Sequence, residues 1–345
     1  MNTALLQSAL QVGQTIFDFF HHEEKLTYEL KQQFKEKLRE TEIKNAWFTQ
    51  ENLRFALLQW AEMLTEKELT AWLKAYTWKE KAPKNIGLIL AGNLPMVGFH
   101  DILSVLFSGH HAMIKLSSKD TVLIPFILQL WQSFHREPLP FTIVEKLENI
   151  DALIATGSNN TAQYLSQYFK DIPHIIRKNR TSVAVLSGEE TDAEIQNLAK
   201  DIFTYFGMGC RNVTRLFLPK EMDLARLFEN FIPYGEIINH HAYANNYDYN
   251  KAIFLLNQDE FWDNNFVMMR EEQSLFSPLS VLNFSRYENI SEVEEFLTKH
   301  NEEIQCVVSS VVLERKTEAL GNAQCPSLGV YADNVDTMAF LEGLN

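Results

Sequence analysis

Residues 86–116 read IGLILAGNLPMVGFHDILSVLFSGHHAMIKL, in which two short apolar runs, IGLIL (86–90) and AMIKL (112–116), are separated by a turn and a helical stretch. Similar runs recur at FTIV (141–144), ALIAT (152–156) and SVAVL (182–186), each followed within a few residues by Gly, Ser, Asn or Asp. A spacing of roughly 25–40 residues between strands is typical of βαβ units on a parallel sheet. We therefore predict an α/β fold with a parallel-sheet domain over residues 83–200.

The stretches on either side of this domain differ in pattern. Residues 1–82 carry apolar side chains at helical spacing, and we predict a helical N-terminal segment packed on the parallel-sheet domain. After Cys210, a second set of apolar runs predicts the strands of a smaller α/β domain over residues 201–316: TRLFLP (214–219), AIFLL (252–256), SVLNF (280–284) and CVVSSVVLE (306–314). We expect the last segment, 317–345, to return to the first domain or to a partner subunit.

Composition and charge exclude several classes of protein. With 46% hydrophobic and 22% charged residues among 345, the chain can bury a core and is not intrinsically disordered. Its 31 Lys and Arg against 45 Asp and Glu leave a net charge of −14, whereas proteins that bind the nucleic-acid backbone are normally positive. The most apolar stretches are interrupted and fall short of the roughly 20 residues that span a bilayer. We therefore expect no nucleic-acid partner and no membrane span.

The cysteines and histidines predict neither a disulfide framework nor a metal site. Three cysteines, at 210, 306 and 325, are odd in number and widely spaced, which suits a reducing compartment. The N-terminal residues lack a basic leader, so we expect a cytoplasmic protein. No Cys or His cluster has the spacing of a zinc site, and adjacent histidines in a strand point to opposite faces. We therefore expect no bound metal.

The residues that follow the apolar runs are candidates for a ligand site, because open α/β sheets bind ligands beyond the carboxyl ends of their strands. These residues are Asn93 after IGLIL, Lys115 and Ser117 at the end of AMIKL, and Gly157 and Ser158 after ALIAT. Lys115 could contact a ribose or phosphate, and backbone N–H groups at 157–158 could bind an anion. Each feature also fits a plain turn or a solvated edge lysine, and no G-x-G-x-x-G motif is present.

The segment Phe206-Gly207-Met208-Gly209-Cys210-Arg211-Asn212 is the strongest candidate for chemistry. Cys210 lies among small and polar residues, and the adjacent Arg211 is the kind of cation that favours a reactive thiolate. Its two glycines allow close approach of the backbone, and the Cys210 N–H could contribute to an oxyanion hole. The alternative is a small buried side chain. Cys306, in an apolar run, is expected in the core, and Cys325 in a loop.

Taken in order, these segments resemble the motifs of the aldehyde dehydrogenase superfamily over about residues 85–315. Gly92-Asn93-Leu94-Pro95 is similar to its Trp-Asn-Phe-Pro motif, Ile114-Lys115-Leu116-Ser117 to its Lys-Pro-Ser strand end, and Thr156-Gly157-Ser158 to its Thr-Gly-Ser loop. Gly207-Met208-Gly209-Cys210 resembles the Gly-Gln-x-Cys context of the nucleophile. Glu271-Glu272-Gln273-Ser274-Leu275-Phe276-Ser277-Pro278 resembles the later Glu-x-Phe-Gly-Pro motif.

The helical leader, the Gly-Cys-Arg-Asn context and the C-terminal VDTMAFL (335–341) resemble more closely a short form of the LuxC-type acyl-CoA reductases. This resemblance implies an aldehyde dehydrogenase-like fold with a nucleotide-binding domain at 83–200 and a catalytic domain at 201–316. It implies reduction of a long-chain fatty acyl-CoA to the aldehyde with NADPH, NADH being the alternative. The acyl donor is implied to be CoA or a carrier protein, and the chain to form a homo-oligomer or a complex with an acyl-supplying enzyme.

The same resemblance implies roles for individual residues. Cys210 is the nucleophile that forms a thioacyl intermediate, and Asn93 stabilises the oxyanion. The cofactor is implied to contact four residues at the strand ends: Lys115, Ser117, Gly157 and Ser158. Glu272 matches, less closely, the glutamate that holds the nicotinamide ribose, and Glu271 is the alternative.

One stretch departs from the superfamily pattern. Hydrolytic members carry a Glu in a Glu-Leu-Gly-Gly-Lys motif, where it activates the water that releases the acid; residues 176–184 correspond to it, with Arg177 near the Glu position. Without that base, we expect the thioacyl intermediate to survive until a thiol attacks it or hydride reduces it. The cluster from Arg177 to Arg180 could be a solvated charged turn, or it could contact phosphates of the cofactor or of CoA.

Other classes of function fit the same residues. Cys210 could accept an acyl group without redox chemistry, as in a thioesterase or acyltransferase, paired with a histidine such as His100 or His240. The chain could also be a catalytically silent dehydrogenase-fold protein that acts through oligomerisation. Within the superfamily, an acyl-phosphate reductase would differ in substrate alone.

Overall fold

The structure is a computed structural model that describes residues 2–77 and 82–344. In chain order the helices are α1 (Thr3–His21), α2 (Tyr28–Lys44), α3 (Gln50–Met63), α4 (Glu66–Leu73), α5 (Phe99–Phe107), α6 (Leu123–Phe134), α7 (Asn159–Tyr168), α8 (Asp192–Phe203), α9 (Leu224–Phe231), α10 (His241–Asn257), α11 (Ile290–Lys299) and α12 (Thr337–Gly343). The strands are β1 (Asn85–Ile89), β2 (His111–Lys115), β3 (Phe141–Ile143), β4 (Ala152–Thr156), β5 (His174–Arg177), β6 (Thr181–Val185), β7 (Val213–Pro219), β8 (Trp262–Asp263), β9 (Met268–Glu271), β10 (Val281–Tyr287) and β11 (Ile304–Ser309). Within the described ranges, no helix is both long enough and apolar enough to cross a bilayer.

The first of two units comprises residues 1–178 and 327–345 and is built on a parallel sheet of order β3-β2-β1-β4-β5. Its central strands bury apolar side chains, as in β1 with Ile86 and Leu88, because helices cover a parallel sheet. Helix α1 packs on α3 and α6, and the Trp131 indole of α6 donates a hydrogen bond to the Ser8 hydroxyl of α1 at 2.9 Å. The strand order reverses between β1 and β4, and a crevice at such a reversal is where open α/β sheets bind ligands.

The described C-terminal residues from 327 onward also belong to the first unit. The Tyr331 hydroxyl accepts a hydrogen bond from the Trp72 indole at 2.7 Å, and His110 Nε2 lies 3.2 Å from the Leu341 carbonyl oxygen. Helix α12 packs against α5. These contacts connect the C-terminal segment to α4, to the residue before β2 and to α5.

The second unit, residues 179–326, contains a six-stranded sheet of order β11-β6-β7-β10-β9-β8. The short β8 pairs antiparallel with β9, and the other described pairs of this sheet are parallel. Helix α8 begins at a capping box formed by Thr191 and Glu194, and its apolar face joins a core that includes Phe231 and Phe284. The predicted α/β class, with a parallel sheet and a helical N-terminus, is confirmed.

The boundaries between the units differ from those we expected at 200/201 and 316/317. The units divide at 178/179 and at 326/327. The first difference arises because β6, within SVAVL, pairs with β7 and β11 rather than with the first sheet. Helix α8 packs on the same second core, so both elements fall in the second unit.

The strand predicted at AIFLL (252–256) is wrong, because these residues lie in α10. Phe254 is buried there, whereas Ile253, Leu255 and Leu256 are exposed. A run of five apolar residues does not by itself distinguish a strand from a helix.

Candidate active site

The loops after β1 and β2 lie against each other in the first unit, and a buried amide connects them. Asn45, the C-cap residue that follows α2, donates from Nδ2 to the carbonyls of Gly92 at 3.4 Å and Lys119 at 3.2 Å. A Cβ on Gly92 would lie 2.6 Å from the Cβ of Ser117, so glycine is needed for this close approach. Asn93 follows on the same loop and is exposed. The predicted turn therefore combines a fixed backbone with an exposed side-chain amide.

Lys115 and Ser117 have different roles at the carboxyl end of β2. The Lys115 carbonyl accepts the N–H of Leu90 at 3.2 Å, and its side chain is exposed. The Ser117 hydroxyl accepts the N–H of Lys119 at 3.3 Å, so it shapes the loop. Lys119 is also exposed. Two ammonium groups thus lie at the end of this strand, where they can pair with a phosphate.

The loop after β4 is a compact turn into α7. The Gly157 N–H donates to the Arg177 carbonyl at 3.3 Å, and a Cβ on Gly157 would lie 2.9 Å from Cγ2 of Thr161. The Ser158 hydroxyl caps α7 by accepting the Thr161 N–H at 3.3 Å. A helix that begins at a strand end presents N–H groups and the positive end of its dipole to an anion. Because this loop and Asn93 follow β4 and β1, they lie at the reversal of strand order.

Arg177, near the expected position of a catalytic glutamate, is a buried packing residue. Its guanidinium binds both oxygens of Asp101, with N–O distances of 2.6 and 2.8 Å. It also donates to the Thr337 hydroxyl at 2.9 Å. The side chains of the pair are 5% and 9% exposed, so Arg177 is neither a solvated turn residue nor directed at a phosphate.

Cys210 lies in the second unit, on a segment with unusual backbone geometry. Tyr205, Phe206, Gly207 and Gly209 have φ angles of 55°, 60°, 77° and 100°, all in the left-handed region. For residues with a side chain this conformation costs on the order of 1–3 kcal/mol each, and it persists where the surrounding structure imposes it. Such strain is concentrated at functional sites in proteins. The segment before Cys210 therefore has the character of an active-site loop.

Two long-range hydrogen bonds hold the Cys210 end of this segment. The Ser182 hydroxyl of β6 donates to the Cys210 carbonyl at 3.0 Å, and Arg211 Nε donates to the Ala323 carbonyl. Cys210 itself is of intermediate exposure. The guanidinium that we expected to favour the thiolate is therefore held by the 319–325 turn.

The other two cysteines have different surroundings. Cys306 on β11 packs against the second core, and burial raises the pKa of its thiol. Its N–H donates to the Ser182 hydroxyl at 3.2 Å, so one serine joins β11 to the Cys210 segment. Cys325 is exposed in a loop. A buried thiol with a raised pKa is a poor nucleophile, which leaves Cys210 as the favoured candidate over Cys306.

Glu272 follows β9, and its neighbours already contact its carboxylate. The Gln273 N–H donates to it at 2.7 Å, and Nη2 of Arg270 lies 3.6 Å from its second oxygen. The preceding Glu271 ends β9 and is exposed. A ribose hydroxyl bound at Glu272 would share the carboxylate with Arg270.

The two histidines considered as partners of the nucleophile make other hydrogen bonds. His100, in α5 of the first unit, has Nε2 2.9 Å from the Leu328 carbonyl oxygen, and burial lowers its pKa. His240 in the second unit caps α10 by accepting the Tyr243 N–H on Nδ1 at 3.3 Å. The Nδ1 lone pair of His240 is occupied by this N–H and is not available for a thiol proton.

The structure groups the predicted residues by unit. The first unit holds, at strand ends, Asn93, Lys115, Ser117, Gly157 and Ser158, and the second holds Cys210 and Glu272. The sequence analysis missed Asn45, Ser182 and Asp201, which bind the backbone near these residues. No local pattern marks Asn45 or Asp201, because their partners lie far along the chain. Ser182 lies in the SVAVL run, where it looks like an ordinary strand residue.

Solved structures with a similar fold are aldehyde dehydrogenases. Aldehyde dehydrogenase C from Pseudomonas syringae, solved as a mutant with NAD+ and octanal, has 13% identity and a TM-score of 0.63 over 94% of this chain and 74% of its own. An NAD-dependent aldehyde dehydrogenase from Sinorhizobium meliloti has 12% identity and a TM-score of 0.65 over 90% and 71%. Aldehyde dehydrogenase 21 from Physcomitrella patens, with succinate, has 13% identity and a TM-score of 0.60 over 89% and 77%. At such identities the similarity establishes the fold.

Sequence comparison is more specific. No curated protein sequence matches the chain. The family model described as acyl-CoA reductase (LuxC) matches residues 4–229, which is more than half of the chain and includes Asn93, Lys115 and Cys210. The fold is that of the superfamily to which the sequence motifs point. The chain therefore belongs to the LuxC acyl-CoA reductase family.

Proposed function

We propose that the protein reduces a long-chain fatty acyl-CoA to the aldehyde with NADPH, through a thioacyl intermediate on Cys210. The observation that carries the proposal is the placement of Cys210 directly after a strained, glycine-rich segment, inside the region matched by the acyl-CoA reductase family. An acyl carrier protein is the alternative donor. Family membership supports an oxidoreductase that acts on acyl or aldehyde groups.

In the first step, the Cys210 thiolate attacks the acyl carbonyl carbon and forms a C–S bond. The bond between that carbon and the CoA sulfur then breaks, and CoA leaves as the thiolate. Covalent catalysis of this kind divides one difficult displacement into two easier steps. Because Ser182 holds the Cys210 carbonyl at 3.0 Å, the nucleophile starts from a fixed backbone.

The attack places negative charge on the carbonyl oxygen. We assign its stabilisation to the Cys210 N–H and to the side-chain amide of Asn93. Fixed donors of this kind stabilise the transition state because they need no reorganisation as the charge develops. The exposed amide of Asn93 and the backbone that Asn45 fixes beneath it support this assignment.

The strand ends of the first unit fit a dinucleotide. Gly92 and Gly157 let these loops pack closely, since a Cβ there would contact the side chains of Ser117 and Thr161, and the start of α7 suits a phosphate. Lys115 and Lys119 would pair with phosphates of NADPH, while Ser117 and Ser158 shape the loops and Glu272 would hold a ribose. When bound, NADPH supplies the hydride that reduces the thioester carbon. Cys210 then leaves as the thiolate when the hemithioacetal collapses to aldehyde.

The position of Arg177 supports reduction over hydrolysis. A hydrolytic enzyme of this superfamily uses a glutamate near this position, and here the cation is paired with Asp101 inside the first unit. A guanidinium cannot act as a general base at neutral pH. We infer that the thioacyl intermediate reacts with hydride rather than with water.

The test is NADPH consumption with acyl-CoAs of increasing chain length, in wild type, Cys210→Ala and the matched control Cys306→Ala. We expect turnover with aldehyde formation in wild type and in the control, and none in Cys210→Ala. Substantial turnover in Cys210→Ala would disprove the mechanism. A mass shift on Cys210 without NADPH consumption would indicate acyl transfer, and neither acylation nor NADPH binding would indicate a silent protein.

We further propose a cytoplasmic location and a homo-oligomer. The proposed nucleophile needs a reduced thiol, and a reducing compartment maintains it. The described cysteines are free, which is consistent with that chemistry. Gel filtration with light scattering measures the oligomeric state, and mixing with an acyl-supplying enzyme would show whether a complex forms.

A further inference from the structure

Asp201 is a buried carboxylate of α8 that no step of the proposed reaction uses. Its Oδ2 accepts the N–H of Gly321 at 2.6 Å, and its Oδ1 accepts the N–H of Ala323 at 2.8 Å. Its side chain is fully removed from solvent. A buried carboxylate is costly unless it is hydrogen-bonded, and both of these bonds go to one turn, residues 319–325. Asp201 therefore holds this turn against α8.

The 319–325 turn is compact and sits closely on the helix. Within it, the Asn322 N–H donates to the Ala319 carbonyl at 3.1 Å, and the Cys325 N–H donates to the Asn322 carbonyl at 3.1 Å. Gly321 has a φ of 93°, and a Cβ there would lie 3.0 Å from the Cβ of Asn197 on α8. The position of the turn is thus sensitive to the hydrogen bonds that Asp201 makes.

The same turn contacts the strained segment directly after Cys210 and acts on it electrostatically before Cys210. After Cys210, Arg211 donates to the Ala323 carbonyl. Before it, burial raises the pKa of the Tyr205 hydroxyl, and the nearby Cys325 thiol raises that pKa further. Tyr205 is one of two residues in this segment, with Phe206, that carry a side chain and have a φ angle in the left-handed region. A strained backbone needs contacts from outside the segment, and this turn provides one through Arg211.

We propose that Asp201 is a positioning residue for Cys210: it fixes the 319–325 turn, and the turn holds residues 205–211 in their strained conformation. The inference rests on the proposed function only in assigning the chemistry to Cys210. As the ionised form, Asp201 makes charge-assisted hydrogen bonds to the two N–H groups, and these are stronger than bonds to a neutral carboxyl. Burial opposes ionisation, and the balance of the two effects decides which form the ordered segment favours.

Because Asp201 can ionise, the proposal predicts that the order of the Cys210 segment depends on pH. Burial raises the pKa of its carboxyl to about 6, and the N–H groups of Gly321 and Ala323 partly oppose that rise. The charged or titratable groups that face it are Arg211 from the Cys210 segment, Lys200 from α8 and Cys306 from β11. Because the pKa is raised in the ordered state, that state binds the proton more tightly than the disordered state does, and we expect the segment to lose order, and turnover to decrease, as the pH rises through about 6.

The test compares Asp201→Asn with Glu190→Gln. The asparagine keeps the size of the side chain but loses the charge and one acceptor. Glu190 is a buried carboxylate of the same unit whose oxygens accept from Ser187, Gly188 and Ser310 instead. Amide hydrogen exchange is measured on peptides covering 204–213 and 319–325, together with the pH dependence of kcat.

In Asp201→Asn we expect exchange to be about tenfold faster in both peptides, which is a population shift of roughly 1.4 kcal/mol, and no alkaline limb of kcat near pH 6. In Glu190→Gln we expect both peptides and the limb to be unchanged. Faster exchange confined to 319–325, or an alkaline limb near pH 6 that persists in Asp201→Asn, would overturn the proposal.

A second variant tests the proposal if Asp201→Asn does not fold, and the exchange data separate it from the proposed function. If Asp201→Asn does not fold, Arg211→Met breaks the same path at its other end, and unchanged exchange at 204–213 in that variant overturns the proposal. If wild type reduces no acyl thioester, the proposed function fails. The exchange data then still decide whether Asp201 orders the Cys210 segment.

Discussion

Arg177 of β5 and Asp101 of α5 form a buried, bidentate ion pair, and the same guanidinium binds Thr337 of α12. One side chain thereby joins the edge strand, a helix that covers the sheet and the C-terminal segment within the first unit. Arg177, which we expected near the position of the glutamate in hydrolytic members of the superfamily, instead makes buried structural contacts. Its loss should therefore affect stability before it affects chemistry.

Replacing Arg177 with Met should lower the free energy of unfolding by about 3–5 kcal/mol, because it leaves the Asp101 carboxylate buried without its partner. Urea unfolding followed by circular dichroism measures this. Lys146→Met is the control, since Lys146 pairs with Glu148 on the surface at 2.8 Å, and we expect no measurable change. A similar loss in both variants would contradict the assignment.

Asn93→Ala should reduce kcat by roughly 10²–10³ without unfolding the protein, because it removes one oxyanion donor from an exposed position. Steady-state turnover and the Tm are measured together. Asn257→Ala, an exposed amide at the end of α10, serves as the matched variant for the loss of a surface amide. An Asn93→Ala enzyme with nearly full kcat would remove Asn93 from the mechanism.

Gly92→Ala should weaken NADPH binding and destabilise the protein by about 1–3 kcal/mol, because the new Cβ would lie 2.6 Å from the Cβ of Ser117. Isothermal titration with NADPH measures the binding. The double variant Gly92→Ala, Ser117→Gly removes the clash and should recover most of the affinity. Gly329→Ala adds a Cβ with no atom within 4 Å and should change nothing. Failure of the double variant to recover binding would argue against a steric cause.

Asp120 makes stability depend on pH in a predictable direction. Burial raises the pKa of its carboxyl to about 6 from 3.8, opposed by the N–H groups of Leu123, Ile124 and Val122 at the start of α6. Between these two values the folded state binds the proton that the unfolded state has lost, so the free energy of unfolding falls as the pH rises. The stabilisation is complete below pH 3.8 and is lost as the pH passes about 6.

Asp120→Asn should remove this dependence. The difference in unfolding free energy between wild type and variant should fall by about 3 kcal/mol from pH 3.5 to pH 6.5. Denaturant titrations at several pH values measure it. A difference that stays constant over this range would show that the carboxyl titrates normally.

Much of the fold could be predicted from the pattern of apolar residues. Runs such as ALIAT (152–156) became strands with the same bounds, because a short, β-branched run bounded by turn residues has few other stable conformations. AIFLL (252–256) is also a short apolar run but lies in α10, since the choice between strand and helix depended on the neighbours it packs against. SVAVL (182–186) was identified as a strand, but its sheet could not be inferred from a local run.

The sequence by itself determined the α/β class, the family and the identity of the candidate nucleophile, because these depend on local patterns and on the order of short motifs. Tertiary structure alone decided that Arg177 pairs with Asp101 and that Asp201 holds the turn beside Arg211. Each of these contacts joins residues far apart along the chain. Hydrogen bonds and ion pairs between such residues form where packing brings their atoms within about 3 Å, and no local pattern records that distance.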